Sequence, residues 1–418
     1  IHARPEGALS LAPDEDEYLM LARNLADGHG FMMHGAITGY RDMFMPLLTA
    51  LLMLGFGPTP LPMLYLNALL SCATGLLLFY LGKRRFSESI ALIMSAVWLL
   101  YPGAIIVSSM LFTETLFVFL WTLSLVLHDR LEDTNYHWAS AVGLGVVIGL
   151  AMLTRGVGAV LLASYLIYIG LIRFETARRR RWRAAAIMTA ACLVVTLPWM
   201  IRNYVAVDRF ALNTNSGLNL LIGNNEQANG SYKFDDKQEG MLPPPSAGEA
   251  ARDKAGTRLA FTYMKEHPRE TVKLWGKKFA FFWSTDMAQL IHYFWDPHGP
   301  PSVALRLHAM PVWLLLIMSV PYMLIVWLGI AGFYLVRHFP TRGILLLQIF
   351  LMTVAIFLTY GLPRYRYPLM PLLIIAAGAL IGPKVWSSAP QPIRLFLLFT
   401  LGMFGGLWMF EFMIVAGI

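Results

Sequence analysis

The sequence predicts an all-α integral membrane protein, and three observations predict it. Hydrophobic residues make up 57% of the 418-residue chain and charged residues only 14%, with a mean hydropathy of +0.57, outside the usual range of soluble domains. Apolar runs recur along the chain at the length of ~20 residues that a bilayer core requires. Lysine and arginine are concentrated in alternate loops, as the positive-inside rule demands.

The chain opens at Ile1 with no signal-peptide pattern. Residues 1–60 are too polar to start in lipid, so one further spanning helix is expected before Ile1. This first stretch carries "APDEDEYLMLARNLADGHGF" (12–31). Pro13 suits the first turn of a helix, and over 13–27 Tyr18, Leu21, Ala22 and Leu25 form one apolar stripe. Asp14 continues that stripe one turn earlier. Asp16 falls with Met20, Arg23 and Asp27 on the wetter side, and Glu15 reaches the Asp14 side from its edge. Acids in a first turn complement the helix dipole, which is reason enough for Asp16 and Glu17. It is not enough for Asp14, because a carboxylate on an apolar stripe is costly without a partner or a role. The next segment, "RDMFMPLLTALLMLGFG" (41–57), is apolar but short, and reads as an interfacial or re-entrant helix.

About ten spanning helices follow, at 61–82, 89–108, 111–128, 138–154, 157–172, 184–202, 304–336, 342–361, 366–382 and 393–417. A break is expected at Pro321, and Thr154-Arg155-Gly156 divides the 138–172 pair. With 1–60 outside, the inner loops hold Lys83, Arg84 and Arg85; Arg130; Arg173, Arg178–Arg181 and Arg183; Arg337 and Arg342; and Lys384 and Arg394. The short outer loops hold only Arg155, Arg364 and Arg366. The net charge of +8 is therefore a topological signal and implies no nucleic-acid partner. The arginines at 178–183 read as a contact with membrane lipids of the inner leaflet. Cys72 and Cys192 both fall inside spans and read as packing residues, without metal-ligand spacing.

The organisation is a first outer loop with an acidic motif and interfacial helices (1–60), a first helix set (61–202), a large outer loop (203–303) and a second helix set (304–418). Residues 226–256 of the large loop are polar and rich in glycine and proline, the composition of a mobile loop. "RLAFTYMKEHPRETVKLWGKKFAFFWS" (258–284) reads as an amphipathic helix pair at the outer membrane surface. No fixed-period repeat, glycine-rich phosphate loop or dinucleotide fingerprint is present, so no nucleotide cofactor is expected.

A second acid, Glu114 in "SSMLFTETLFVFLW", starts a span, where an ionisable residue is a functional candidate; a solvated helix-start glutamate is the alternative. Arg155, Arg202, Arg364 and Arg366 gather on the side that the positive-inside rule disfavours. A guanidinium is a planar fork matched to phosphate oxygens; snorkelling or a helix-end ion pair are the alternatives. Carboxylates beside arginines at the edge of a membrane domain suit a phosphate-linked lipid substrate.

Taken in order, "PDEDEYLMLARNLADGHGF", "LNALLSCATGLLLFYLGKRRF", "YPGAIIVSSMLFTETLFVF", "GLAMLTRGVGAVLL", "LPWMIRNYVAVDRFALNTNSGLNLLIGNNEQANGSY" and "RYRYPLMPLLIIAAG" resemble the bacterial dolichyl-phosphate-mannose-protein mannosyltransferase-like group, which includes the aminoarabinose transferases of lipid A. The resemblance implies a GT-C fold with its active site at the outer face of the inner membrane. It implies a polyprenyl-phosphate-sugar donor and an essential acid in a pattern like Asp-Glu-x-x-Tyr, here Asp14, Glu15 and Tyr18. Where relatives show Arg-x-Pro-x-Tyr-Pro, this chain keeps Arg41 and Pro46 but has Met43 and Met45; Glu17 replaces the basic residue of the aminoarabinose enzymes.

These readings combine into an inverting sugar transfer from a polyprenyl-phosphate donor to a lipid, glycan or protein acceptor in the periplasm. Asp14 is expected to act as base or to orient the acceptor, with Glu15 beside it. Glu114 and Tyr18 serve the acceptor or supply a second acid, and Arg155, Arg202, Arg364, Arg366 and Arg41 hold the donor phosphate. Whether a divalent metal takes part is left open. A lipid-linked polysaccharide polymerase or ligase is the alternative. A secondary transporter fits less well, because its ionisable groups lie near mid-membrane in repeated halves.

Overall fold

In lipid the backbone must satisfy its own hydrogen bonds, and a chain this apolar does so as helix. The structure, a computed structural model, describes residues 13–172, 178–293, 303–336, 341–381 and 391–416. The inner-loop residues Arg173, Arg337 and Lys384, and the segment before Pro13, lie outside the described residues. The first loop forms α1 (Pro13–Ala26), a two-residue hairpin of β1 (Met32–Met33) and β2 (Ala36–Ile37), and α2 (Phe44–Phe56). The hairpin turns on His34 and Gly35, both at positive φ (53° and 79°), the geometry that matches strand twist.

The first helix set is α3 (Leu61–Arg85), α4 (Glu88–Leu99), α5 (Pro102–Ser108), α6 (Glu114–Asp133), α7 (Trp138–Thr154), α8 (Ala159–Ile167) and α9 (Arg178–Val207). The large loop contributes α10 (Ser216–Gly223), α11 (Asp236–Glu239), α12 (Glu249–Glu266), α13 (Pro268–Phe282) and α14 (Met287–Tyr293). Then come α15 (Val303–His308), α16 (Val312–Leu335), α17 (Arg342–Leu358), α18 (Met370–Gly378) and α19 (Gln391–Ala416).

Among the described residues each of the ten apolar stretches is mostly helical, yet not each is one straight span. Among the described residues four helices are long and apolar enough to cross a bilayer: α3, α9, α16 and the apolar stretch Arg394–Val415 within α19. The number is five if α4 and α5, bent by 55° at their junction, form one broken span. The bend falls at Tyr101, where Pro102 opens the second helix and cannot continue the first. The expected break at Pro321 is not there. α16 runs through Pro321, and the interruption comes earlier, between α15 and α16, where Pro311 caps the longer helix. α2, 13 residues long, is too short for a full span, as expected.

Lipid offers no hydrophobic drive for helices to associate, so close contact relies on small residues. α7 packs on α9, and α16 on α18. A Cβ at Gly145 would overlap the Met188 carbonyl, and one at Gly332 would overlap the Ala376 carbonyl. Cys192 is buried in the first contact and Cys72 is exposed on α3; both are free thiols.

Carboxylates of α12 tether the large loop. Glu249 accepts from the Gly39 amide (2.9 Å) and from the hydroxyls of Thr214 (2.7 Å) and Thr38. Asp253 accepts from the Gly217 amide and pairs with Arg209 at 2.6 Å. In the stretch 226–256, Asp235 and Gln238 form a capping box that starts α11, and Arg252 grips both oxygens of Glu239 at 2.7–2.8 Å.

Candidate active site

α6 fixes the frame. At its C-terminal end Asp129 takes both its oxygens' bonds from Arg85 (2.9 Å each), and Asp133 pairs with Arg84, which ties α3 to α6. Glu114 begins α6 at the opposite end. There the chain concentrates charge from four separate stretches.

Asp14 lies in the first turn of α1. Arg41 Nη2 donates to its Oδ1 at 2.6 Å, and Arg364 Nη2 donates to its Oδ2. Arg364 comes from the 3-10 turn Pro363–Leu369 ahead of α18, a geometry that two prolines impose on the strand-like approach to the helix. Its Nε lies 3.7 Å from Glu114 Oε1 and makes no hydrogen bond. Glu114 Oε1 also pairs with Arg155 Nη1 at 2.6 Å. Arg155 ends α7 in an extended conformation (φ −153°, ψ 126°), which breaks the helix and turns the guanidinium toward Glu114. It also donates to Thr113 Oγ1 at 2.9 Å. Tyr365 lies under both cations, 4.9 Å from Arg155 and 5.7 Å from Arg364. Arg41 completes the ring: its Nε donates to Glu17, and its guanidinium sits 5.4 Å from the rings of Tyr18 and Tyr40.

The electrostatics follow from this pairing. Burial by itself raises the Asp14 carboxyl, but Arg364 and then Arg41 outweigh it and hold the group well below the usual carboxylate range. Asp14 is thus ionised at any physiological pH. Tyr18 is buried, which pushes its phenol up to about 12 despite Arg41, so it faces the cluster as a neutral hydroxyl.

Of the residues singled out in the sequence, Asp14, Glu114, Arg155, Arg364 and Arg41 come together, with Tyr18 beside Arg41. Three do not join them. Glu15, expected at the edge of Asp14's side, is the most buried of the four acids at 1% exposure, and its Oε1 accepts from the Leu111 amide at 2.9 Å. Arg202 donates to the carbonyls of Thr38 (2.5 Å) and Phe31 (3.2 Å) and stacks on Trp199 at 4.9 Å. It braces the first loop against α9. Arg366 is fully buried. It pairs with Asp286, donates to the Phe282 carbonyl at 2.7 Å and sits 3.9 Å above the Tyr322 ring, while Tyr101 donates to the other Asp286 oxygen. That is a structural ion pair in place of the expected phosphate contact. Arg366→Met should therefore cost about 3–5 kcal/mol, because Asp286 is left buried without its cation; unfolding in detergent measures it.

Two site residues were not foreseen. Glu17 was assigned to the helix dipole, yet its i, i+3 spacing from Asp14 sets both on one face toward Arg41. Asp42 lies next to Arg41 in sequence; its Oδ1 accepts from Asn213 Nδ2 at 2.8 Å and its Oδ2 from the Gly156 amide at 3.3 Å. Only its adjacency to Arg41 marked it. Among the described residues no group of three His, Cys, Asp or Glu side chains is placed to hold a metal ion.

Residues 42–201 match the family described as dolichyl-phosphate-mannose-protein mannosyltransferase. No curated protein matches the sequence. Among solved structures, the fold is similar to the oligosaccharyltransferase AglB of Archaeoglobus fulgidus in complex with an inhibitory peptide and a dolichol-phosphate: TM-score 0.50, 14% identity, 98% of this chain and 52% of that one. The chain thus spans about half the length of that protein. ArnT of Cupriavidus metallidurans bound to undecaprenyl phosphate aligns with a TM-score of 0.44 at 16% identity, over 88% of this chain and 73% of that one. The matched region runs from Asp42 into α9 and includes Glu114 and Arg155, and the likeness in fold is to an all-α membrane domain of the GT-C kind.

Proposed function

We propose that the protein transfers a sugar from a polyprenyl-phosphate donor to an acceptor hydroxyl, at the periplasmic face of a bacterial inner membrane. The observation that carries this reading is the junction of Arg41, Arg155 and Arg364 with Asp14 and Glu114 at one end of a membrane bundle. Three guanidiniums in one place suit a lipid phosphate better than any neutral ligand. The carboxylates keep the forks aligned. Arg364 Nε, without a hydrogen-bond acceptor of its own, is a ready donor to a phosphate oxygen.

In this mechanism the acceptor oxygen attacks the anomeric carbon as the bond to the phosphate oxygen breaks. The arginines stabilise the negative charge that grows on the leaving polyprenyl phosphate. One displacement inverts the anomeric centre. Asp14, ionised and fixed by two cations, orients the acceptor hydroxyl, and the neutral Tyr18 phenol offers a further hydrogen bond. The family match over 42–201 and the GT-C fold support the reaction class.

The test uses the purified full chain, undecaprenyl-phosphate mannose as probe donor and a total envelope lipid and glycan extract as acceptor. Release of undecaprenyl phosphate with a mass gain of one hexose on an acceptor is the expected result. No release with this donor or with its glucose and aminoarabinose counterparts overturns the reading. The orientation has its own check. Ser246, exposed in the large loop, replaced by cysteine in a background lacking Cys72 and Cys192, should react with an impermeant maleimide in intact spheroplasts. Labelling only after lysis would put the site on the cytoplasmic side.

A further inference from the structure

We propose that Tyr232, in the large outer loop, is the wall against which the donor's sugar lies, and that it helps to set which polyprenyl-phosphate sugar is accepted. This rests on the transferase reading above and assigns the sugar within it.

The loop around Tyr232 is polar and rich in glycine, yet this part of it is pinned. Gly230 sits at positive φ (96°), and its carbonyl accepts from the Gly361 amide at 2.9 Å. A Cβ at Gly230 would lie 2.6 Å from Lys277 Cβ and 3.1 Å from the Lys278 nitrogen, so glycine is what lets the loop lie this close on α13. Asn229 Oδ1 accepts from the Ser231 amide at 2.9 Å. Tyr232 is thus fixed against the stretch that carries Arg364, three residues beyond Gly361.

From there a row of rings runs to the cations. Tyr232 meets Tyr360 edge to face, with centroids 5.4 Å apart at 67°. Tyr360 donates to Asn219 Oδ1 at 3.2 Å, which leaves it to accept from the Tyr365 hydroxyl at 3.0 Å. Tyr365 in turn lies under Arg155 and Arg364. Tyr360 is buried, and Tyr365 is covered by its two guanidiniums. Tyr232 is different: 54% of it is exposed.

A pyranose has a face of C–H bonds and a rim of hydroxyls. The C–H bonds are slightly positive and match the negative face of an aromatic ring, while the rim calls for polar partners. Tyr232 offers a ring beside such partners, because Asp14, Arg41 and Glu17 all act on its phenol. Partial burial and then the Asp14 carboxylate raise that phenol, against Arg41, so it stays a neutral hydroxyl. An acyl chain suits the place poorly, since Ser231 and Lys233 flank the ring. The donor's sugar is joined directly to the phosphate and must lie beside the forks that hold it, and this favours it over the acceptor.

The experiment is lipid binding to the purified full chain by native mass spectrometry. The probes are undecaprenyl-phosphate mannose, its glucose and aminoarabinose counterparts, and undecaprenyl phosphate without a sugar. Tyr232→Ala should melt with the parent, weaken the sugar-bearing lipid that the parent binds most tightly by about 3–10-fold, the scale of one aromatic contact, and leave undecaprenyl phosphate within about twofold. Tyr232→Phe keeps the ring and should bind that donor as the parent does. An equal loss for the bare lipid would make Tyr232 a part of the phosphate site or of the loop's packing, and would overturn the assignment. So would an unchanged donor affinity in Tyr232→Ala, or a rise confined to the acceptor KM. A parent that binds none of the four lipids overturns the transferase reading itself, whereas a parent that transfers sugar beside a silent Tyr232→Ala overturns this assignment alone.

Discussion

Asp14→Asn should fold like the parent and lose about 10²–10³ of its turnover, the scale of removing one preorganised electrostatic partner from an active site. The amide keeps the shape of the carboxylate but not its charge. Arg41 and Arg364, now held together at Asp14's two oxygens, would repel without it. One of their contacts would also become donor against donor. The acceptor loses its orienting group and the donor site loses its alignment, so kcat should fall more than KM rises. Asp16→Asn is the control. Asp16 is exposed on the far side of α1, and its loss should leave turnover within about twofold, as for most surface substitutions. Transfer kinetics on both variants, with melting temperatures in detergent, decide it; equal sensitivity at Asp16 would sink the assignment.

Arg364→Lys should be comparably severe, with a loss of about 10²–10³ in turnover and a clear drop in undecaprenyl phosphate affinity. Among the described residues Arg364 is the one cation that reaches both carboxylates, through Nη2 to Asp14 and with Nε 3.7 Å from Glu114. A fork spans two partners; an ammonium is a point charge that satisfies one. The lysine variant therefore keeps net charge and loses geometry. Arg202→Lys gives the contrast. Among the described residues Arg202 donates to carbonyls and an amide oxygen and stacks on Trp199 and Phe31, so its replacement should lower the melting temperature and leave lipid affinity near the parent. Weaker lipid binding in Arg202→Lys than in Arg364→Lys would reverse the two roles.

Composition was enough for the fold class because a bilayer allows so few backbone solutions. The 3.6-residue period located α1 and put Asp14 on the protein side. The same argument put Glu15 at the edge of the Asp14 side, whereas it is the more deeply buried of the two. Periodicity says which way a side chain leaves its own helix, not what stands opposite; the Leu111 amide, from a distant loop, draws Glu15 inward. The arginines show the same limit. Arg155, Arg202, Arg364 and Arg366 looked alike at span ends. Arg366 is two residues from Arg364, but the 3-10 turn sends it into the interior toward Asp286. Span boundaries were blurred for a related reason: hydropathy averages over a window and does not register a 55° bend at Tyr101–Pro102.

Asp14 and Arg364 are 350 residues apart in the chain, and this distance has a consequence for biogenesis. At about 5–20 residues per second of synthesis, Asp14 emerges roughly 20–70 s before its distal partner exists. Arg41 follows it by only 27 residues, so that pair forms early and shields the carboxylate during the wait. The nascent protein therefore lacks one cation of its charge cluster, Arg364, through most of membrane insertion. It gains a grip on a lipid phosphate only when the turn before α18 arrives, and a chain truncated before Pro363 should insert without ever becoming competent.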